Sequence, residues 1–152
     1  MIVYRLAHAE HILDMSGIGA QIHGGRWNII GSPCLYGSEH VSLCMLELLV
    51  NALSLEYLSG LELLEIEIPD DITIKTIDAS KLKKDWFIDI NYTQWMGTEM
   101  LQQNEILVFK CPSVVIHNEW NYVFNTRHPM YKRVKGKIHK KFYFDKRLWR
   151  GE

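Results

Sequence analysis

Residues 62–68, Glu62-Leu63-Leu64-Glu65-Ile66-Glu67-Ile68, predict a β-strand with one face in a hydrophobic core. From Leu64 onward, apolar side chains alternate with glutamates, which is the two-residue period of a half-buried strand. Pro69-Asp70-Asp71 then turns the chain, and Ile72 and Ile74 indicate a further short strand.

A helix is predicted before this strand, from the candidate N-cap Ser38 to about Leu58. Apolar residues cover most of its circumference, so it should be largely buried. Glu47, Asn51 and Ser54 form the narrow polar stripe that remains. Glu47 therefore either faces water along this stripe or lines a cleft, because burying an unpaired carboxylate among leucines is costly.

The rest of the chain mixes predicted strands and helices without a regular βαβ alternation. Strands are expected near both ends, at 2–7 and 142–145, and at 105–110 and 113–117. Residues 80–103 look mostly helical, with an interruption at Gly97, whereas 14–37 are rich in glycine and form a long irregular segment. The predicted class is α+β, and no linker divides residues 1–152, so one domain is expected.

Length and composition narrow the class of protein. The chain has 152 residues, is 47% hydrophobic and 23% charged, and therefore predicts a globular protein. It contains neither an apolar run of about 20 residues nor a secretory signal, so no membrane association is expected. Its three cysteines are odd in number and lack a CxxC spacing, which favours a reducing, cytoplasmic environment.

Charge is distributed unevenly along the chain. Residues 127–150 carry ten lysines and arginines against one acid, whereas the first 126 residues carry seven basic and sixteen acidic side chains. This basic C-terminal segment is either a solvated surface or a site for a phosphate-bearing ligand, nucleic acid or an acidic protein. Spacing alone does not choose among these alternatives.

Two familiar motifs are present only in part. Gly17-Ile18-Gly19 begins like a dinucleotide-binding fingerprint, but Ile22 occupies the place of the third glycine. His8-Ala9-Glu10 and Pro33-Cys34 resemble a zinc-deaminase signature, but Gly37 stands where its second cysteine would be. The seven histidines show no ligand spacing, so we expect no metal site.

The segment Gly24-Gly25-Arg26-Trp27-Asn28 is the strongest candidate for ligand binding. Two glycines allow the backbone to approach a ligand closely, and the planar guanidinium of Arg26 matches a phosphate or carboxylate. The alternative is a tight turn with a solvated arginine. Farther along, Ser113 lacks a His-Asp pair in sequence, so a hydrogen-bonding role suits it better than a nucleophilic one.

Taken together and in order, these motifs resemble the RES-domain family. The matching pieces extend over nearly the whole chain: Tyr4-Arg5, Gly17-Ile18-Gly19-Ala20, Gly24-Gly25-Arg26-Trp27-Asn28, Tyr36, Glu47, Pro112-Ser113, Asn121 through Asn125-Thr126-Arg127-His128-Pro129, and Phe144-Asp145-Lys146-Arg147-Leu148. One departure is Thr126, where the family usually has proline.

The resemblance implies both a fold and a function. It implies a mixed β core with surrounding helices, like that of ADP-ribosyltransferases, and a bacterial toxin that releases nicotinamide from NAD. Cleavage would proceed by hydrolysis or phosphorolysis and deplete the cellular NAD pool. NAD would be the substrate, with no further cofactor required. The implied partner is an Xre-like antitoxin that covers the active site, and a homodimer is a candidate assembly.

The resemblance also assigns roles to residues. The arginine, glutamate and serine that name the family correspond to Arg26, Glu47 and Ser113, which are the expected catalytic residues. Glu47 would stabilise the oxocarbenium-like transition state as nicotinamide leaves. The expected NAD-binding residues are Arg5, Asn28, Tyr36 and Asn121, although Asn121 could equally form a turn.

Two other functions compete with NAD cleavage. An ADP-ribosyltransferase that modifies a specific protein would share every site residue and differ only in its acceptor. A non-catalytic binding module would instead use the basic C-terminal segment, although an inward-facing Glu47 would weaken any phosphate-binding cleft. We therefore expect no direct binding of nucleic acid.

Overall fold

One seven-stranded mixed sheet organises the chain, with the strand order β4-β5-β6-β2-β1-β3-β7. The structure is a computed structural model that describes residues 1–150, apart from the side chain of Ile138. The strands are β1 (Ile2–His8), β2 (Leu35–Ser38), β3 (Leu61–Glu67), β4 (Ile74–Thr76), β5 (Val108–Pro112), β6 (Trp120–Phe124) and β7 (Lys135–Lys141). Only β4 and β5 pair in parallel, and all other neighbours are antiparallel.

Within residues 1–150, three α-helices accompany the sheet: α1 (Ile18–His23), α2 (Val41–Asn51) and α3 (Ile90–Gln102). The predicted α+β class is confirmed. The predicted strand at 62–68 is β3, and the strand expected at 2–7 is β1. No helix within residues 1–150 combines the length and the hydropathy needed to span a membrane.

The sheet separates two hydrophobic layers. On one side, which we call the loop face, Val3, Leu64 and Phe124 pack against loop residues such as Ile12 and Val134. On the other side, which we call the helix face, α2 packs over β1 and β3, while α3 and Trp27 cover β5 and β6. The boundary between these two groups lies on the helix face above β2 and β6, and we call this region the crevice.

The helix that carries Glu47 is shorter than the sequence predicts. The expectation that Ser38 is its N-cap is wrong, because Ser38 is the last residue of β2 and pairs with both Tyr4 and Asn121. The N-cap is His40, and the helix ends at Asn51, where Ala52 turns to an extended conformation. Only part of its surface is buried, since Val50 is well exposed.

Three further boundary predictions are also wrong. Helix α3 runs unbroken through Gly97, because the absence of a side chain there lets the helix approach the backbone of Trp27. Residues 113–117 form a turn after β5 rather than a strand. The last strand is β7, not 142–145. Its lysines mask the strand pattern, because an exposed edge strand tolerates charge.

The uneven charge of the sequence is partly balanced by strand pairing. β7 lies beside the glutamate-rich β3, and Lys137 forms an ion pair with Glu67 at 2.9 Å. His139 contacts Glu62 in the same ladder. Much of the basic C-terminal segment thus lies at the surface next to acidic neighbours. Of the alternatives left open by the sequence, this supports a solvated surface.

Candidate active site

Glu47 is the centre of a polar network in this region. Its Oε1 atom accepts a hydrogen bond from Ser113 Oγ at 2.7 Å and another from Asn121 Nδ2 at 2.6 Å. Asn121 Oδ1 in turn accepts from Ser38 Oγ at 2.6 Å. One helix, two strands and the turn after β5 thus contribute one side chain each, and together they fix the direction of the carboxylate.

The Glu47 carboxylate forms no ion pair within residues 1–150. Within residues 1–150, no hydrogen bond reaches its Oε2 atom and no cationic side chain pairs with it. Its two donors are neutral, so they orient the carboxylate without neutralising it. A fixed, unneutralised carboxylate in a partly buried crevice can stabilise a positive charge that develops beside it.

The hydrogen bonds of Ser113 suit a role in orienting Glu47 better than a role as a nucleophile. It is fully buried, and its Oγ accepts hydrogen bonds from the backbone amides of Val115 and Ile116, both at 3.0 Å. Its own proton is donated to Glu47. The Ser113 hydroxyl is thus held by one donated and two accepted hydrogen bonds, an arrangement that suits an orienting donor.

Arg26 lies at the tip of a turn that faces the same side of the sheet. Gly25 and Asn28 form the base of this turn as an isolated β-bridge, with Gly25 N donating to Asn28 O at 3.0 Å. Tyr36 Oη accepts from Trp27 N at 3.0 Å and donates to Asn28 Oδ1 at 2.7 Å. Burial raises the pKa of Tyr36 well above its usual value, so its hydroxyl keeps the proton that it donates.

One nitrogen of the Arg26 guanidinium is a donor without a partner among residues 1–150. Its Nη1 atom is buried, and no acceptor for it lies within residues 1–150. A buried cationic donor left unpaired is unfavourable, so such an atom marks a position where an anionic ligand would complete the site. Tyr36 and Ser38, two residues apart on β2, point to the same face, so the turn and the Glu47 network lie on the same side of the sheet.

Asn28 is fully buried, and the fold uses all of its side chain. Its Nδ2 atom donates to the carbonyls of Ala20, Ile29 and Ser32, and its Oδ1 atom accepts from Tyr36. Both protons of its amide nitrogen are therefore used within the fold. These contacts give Asn28 a structural role in shaping the glycine-rich segment, and its direct contact with NAD stays a prediction.

Arg5 is not brought together with Glu47. Its partner across the β1–β3 ladder is Leu64, which belongs to the loop face, and its Nη1 atom donates to the carbonyls of Ile12 and Asp14 at 2.9 and 2.8 Å. Glu47 contacts the helix face. The sheet thus separates the two side chains, and the geometry disfavours the predicted contact of Arg5 with NAD.

Sequence reasoning missed two residues that the fold adds to the site. Ser38 supports Asn121, and Gln94 of α3 donates to the carbonyl of Gly25 at 2.9 Å. Ser38 and Asn121 are direct cross-strand partners, a relation that only strand register reveals. Gln94 lies on a helix whose approach to the turn depends on tertiary packing, so no local signal marks it.

The crevice also borders one group of potential metal ligands. Glu39, His40 and Glu119 each offer an atom within 4.8 Å of the others. Glu39 Oε1 already accepts from Trp120 N at 2.8 Å, and His40 is exposed. These contacts are as typical of a polar surface cluster as of a metal site.

The order of these residues matches a known domain. The RES domain pattern covers residues 2–145. The chain belongs to the RES-domain family. Its relatives include a protein named Toxin Res from Yersinia enterocolitica, which is 33% identical over 152 residues and aligns over 97% of this chain and 99% of its own length. The chain is thus a RES-type toxin.

Two further relatives extend the comparison. A Toxin Res from Photorhabdus laumondii is 35% identical over 128 residues, covering 82% of this chain and 81% of the relative. A Sphingobium protein named Prs ADP-ribosylating toxin is 30% identical over 145 residues, covering 90% of this chain and 88% of that protein.

The fold of this RES domain is similar to that of a solved structure, the MbcT–MbcA toxin–antitoxin complex of M. tuberculosis. The TM-score is 0.72, with 21% identity over 91% of this chain and 81% of the matched one. This likeness shows that the two chains share a fold, and the observed sheet with its helices confirms the predicted mixed β core.

Proposed function

We propose that this RES-domain toxin cleaves the bond between nicotinamide and ribose in NAD. The observation that carries the proposal is the Glu47 carboxylate, which Ser113 and Asn121 hold at one oxygen while no cation neutralises it among residues 1–150. When the C1′–N bond breaks, its electron pair goes to the nicotinamide ring, and positive charge develops on the ribose. An adjacent fixed carboxylate stabilises that charge.

Each remaining site residue has a role in this reaction. Arg26, whose buried Nη1 atom has no acceptor within residues 1–150, would bind the pyrophosphate of NAD. Tyr36 would hold the Arg26 turn through its hydroxyl and present its ring to the nicotinamide riboside. Water or phosphate would then form the new C1′–O bond and lose a proton, which depletes NAD in the cytoplasm.

A second candidate is transfer of ADP-ribose to a protein side chain. The Sphingobium relative named Prs ADP-ribosylating toxin favours it. Both reactions break the same bond and need the same Glu47, and they differ only in the acceptor. The solved toxin–antitoxin complex with this fold supports a protein antitoxin as the partner of this chain, and we propose an Xre-like one that covers the crevice.

Nicotinamide release from NAD tests the proposal directly. The wild-type protein, freed of antitoxin, is compared with Glu47→Gln in the presence and absence of phosphate. Glutamine keeps an oxygen acceptor for Ser113 and Asn121 but removes the charge, so release should fall at least about 100-fold while the fold is retained. Glu99→Gln is the matched control, because Glu99 is an exposed glutamate on α3.

The outcomes separate the candidates. Nicotinamide release by the wild type but not by Glu47→Gln supports NAD cleavage. Stimulation of this release by phosphate identifies phosphorolysis. Labelling of a protein by isotopic NAD in a cell extract, without release from NAD alone, supports transfer. Release that is equal in Glu47→Gln and the wild type contradicts the mechanism. In cells, induction should arrest growth, and Glu47→Gln should relieve the arrest.

A further inference from the structure

Helix α3 presents one face to the turn that carries Arg26. Gln94, Gly97, Thr98 and Leu101 are spaced i, i+3, i+4, i+7, so they share that face. Gln94 Nε2 donates to Gly25 O at 2.9 Å, and Thr98 Oγ1 accepts from Ile29 N at 3.1 Å. Between them, Gly97 lies so near Trp27 that an added Cβ would be 2.0 Å from the Trp27 carbonyl oxygen.

These contacts restrain the backbone on both sides of Arg26. The Gly25–Arg26 peptide is held at its carbonyl by Gln94, and the Arg26–Trp27 peptide is held at its amide by Tyr36 Oη at 3.0 Å. Fixing both peptide planes fixes the φ and ψ angles of Arg26. The backbone from which the Arg26 side chain leaves is consequently fixed, and the burial of its Nη1 atom, which has no acceptor within residues 1–150, limits the conformations open to the side chain.

We propose that Gln94 is a positioning residue that orients Arg26 for an anionic group of the substrate, the pyrophosphate if the substrate is NAD. This inference rests on the proposed function for the identity of the ligand, but not for the restraint itself. Gln94 acts through the Gly25 carbonyl rather than by touching the substrate. Pre-orienting a charged donor lowers the entropic cost of binding and leaves the later bond cleavage to Glu47.

The first test separates binding from chemistry. Gln94→Met keeps the length of the side chain but removes the donor to Gly25. We expect KM for NAD to rise about three- to tenfold, the value of one net hydrogen bond, with kcat within about twofold of the wild type. Gln102→Met is the matched control, because Gln102 is an exposed glutamine on the same helix. A fall in kcat at unchanged KM, or no change in either constant, overturns the proposal.

A double-mutant cycle tests whether Gln94 acts through Arg26. NAD affinity is measured in the Glu47→Gln background, in which turnover is blocked. Gln94→Met should weaken binding when Arg26 is present and change it less than about twofold in the Arg26→Ala variant. Equal weakening in both backgrounds would show that Gln94 acts independently of Arg26.

Hydrogen exchange distinguishes failure of this inference from failure of the proposed function. In Gln94→Met, the amides of the peptide that contains Gly24–Trp27 should exchange at least about threefold faster, without a change in the midpoint of global unfolding. If the wild type neither binds nor cleaves NAD, the proposed function fails. The exchange result still tests whether Gln94 restrains the backbone around Arg26, and unchanged exchange in Gln94→Met overturns that restraint.

Discussion

Ser113 Oγ lies 2.7 Å from Glu47 Oε1, although 66 residues separate the two in sequence. Asn121 reaches the same oxygen from the neighbouring strand. Because β5 and β6 are adjacent in the sheet, the turn after β5 and the start of β6 present their polar groups side by side to α2. The Glu47 carboxylate is therefore oriented by the sheet rather than by its own helix.

Replacing Ser113 should impair both stability and activity. Ser113→Ala removes a donor to Glu47 and leaves the amides of Val115 and Ile116 without their acceptor, so the free energy of unfolding should fall by about 1–3 kcal/mol. Nicotinamide release should fall with it at temperatures where the variant is folded. Denaturant titration and the release assay check this, with the exposed Ser42→Ala as control. Full activity in folded Ser113→Ala would contradict the orienting role.

The two arginine candidates should respond in opposite ways. Arg5→Met removes charge-assisted bonds to the carbonyls of Ile12 and Asp14, so it should lower unfolding free energy by about 1–3 kcal/mol and leave KM for NAD within about twofold. Arg26→Met should leave stability nearly unchanged and raise KM at least about tenfold. Thermal unfolding and steady-state kinetics on both variants measure these effects. A raised KM for NAD in Arg5→Met would show that Arg5 contributes to NAD binding.

Gly97→Ala tests the packing of α3 on the Arg26 turn, and Gly19→Ala is its control. A Cβ at Gly97 would collide with the Trp27 carbonyl, so Gly97→Ala should lower the free energy of unfolding by about 1–3 kcal/mol or more. A Cβ at Gly19 meets no atom of the described residues within 4 Å, so Gly19→Ala in α1 should be neutral or stabilise by up to about 1 kcal/mol. Chemical denaturation of both variants measures the difference, and equal effects would refute the packing argument.

Alkaline pH should destabilise the fold through its buried thiols. Burial raises the pKa of Cys44 from its ordinary 9.0 to about 11 and that of Cys34 to about 12. The unfolded chain loses these protons near pH 9 while the folded chain keeps them. The stabilising contribution is therefore complete below pH 9 and is lost as pH rises toward 11–12.

The Cys44→Ser variant isolates one of these thiols. Serine retains a donor for the Tyr4 carbonyl, which Cys44 Sγ contacts at 3.0 Å, but it does not ionise in this range. Above pH 9, the decline of unfolding free energy should be shallower than in the wild type by up to about 1.4 kcal/mol per pH unit. Urea titrations between pH 8 and pH 11 measure the slopes, and identical slopes would exclude the Cys44 contribution.

Strand and helix types were largely predictable where local periodicity was strong, as in β1 and β3. Boundaries were predicted less well because tertiary contacts override local propensity. Ser38 has the chemistry of an N-cap, yet pairing with Tyr4 and Asn121 keeps it extended. Gly97 has the chemistry of a helix breaker, yet close packing on Trp27 explains its presence inside α3.

The sequence by itself determined the α+β class, the glycine-rich turn at Arg26 and the residue types needed around Glu47, because alternation, glycine content and side-chain chemistry are local properties. Only the tertiary structure decided that Ser113 and Asn121 converge on Glu47, that Gln94 holds the Arg26 turn, and that Arg5 lies across the sheet. Strand order and register determine these neighbours, and they depend on pairing between segments far apart in the chain.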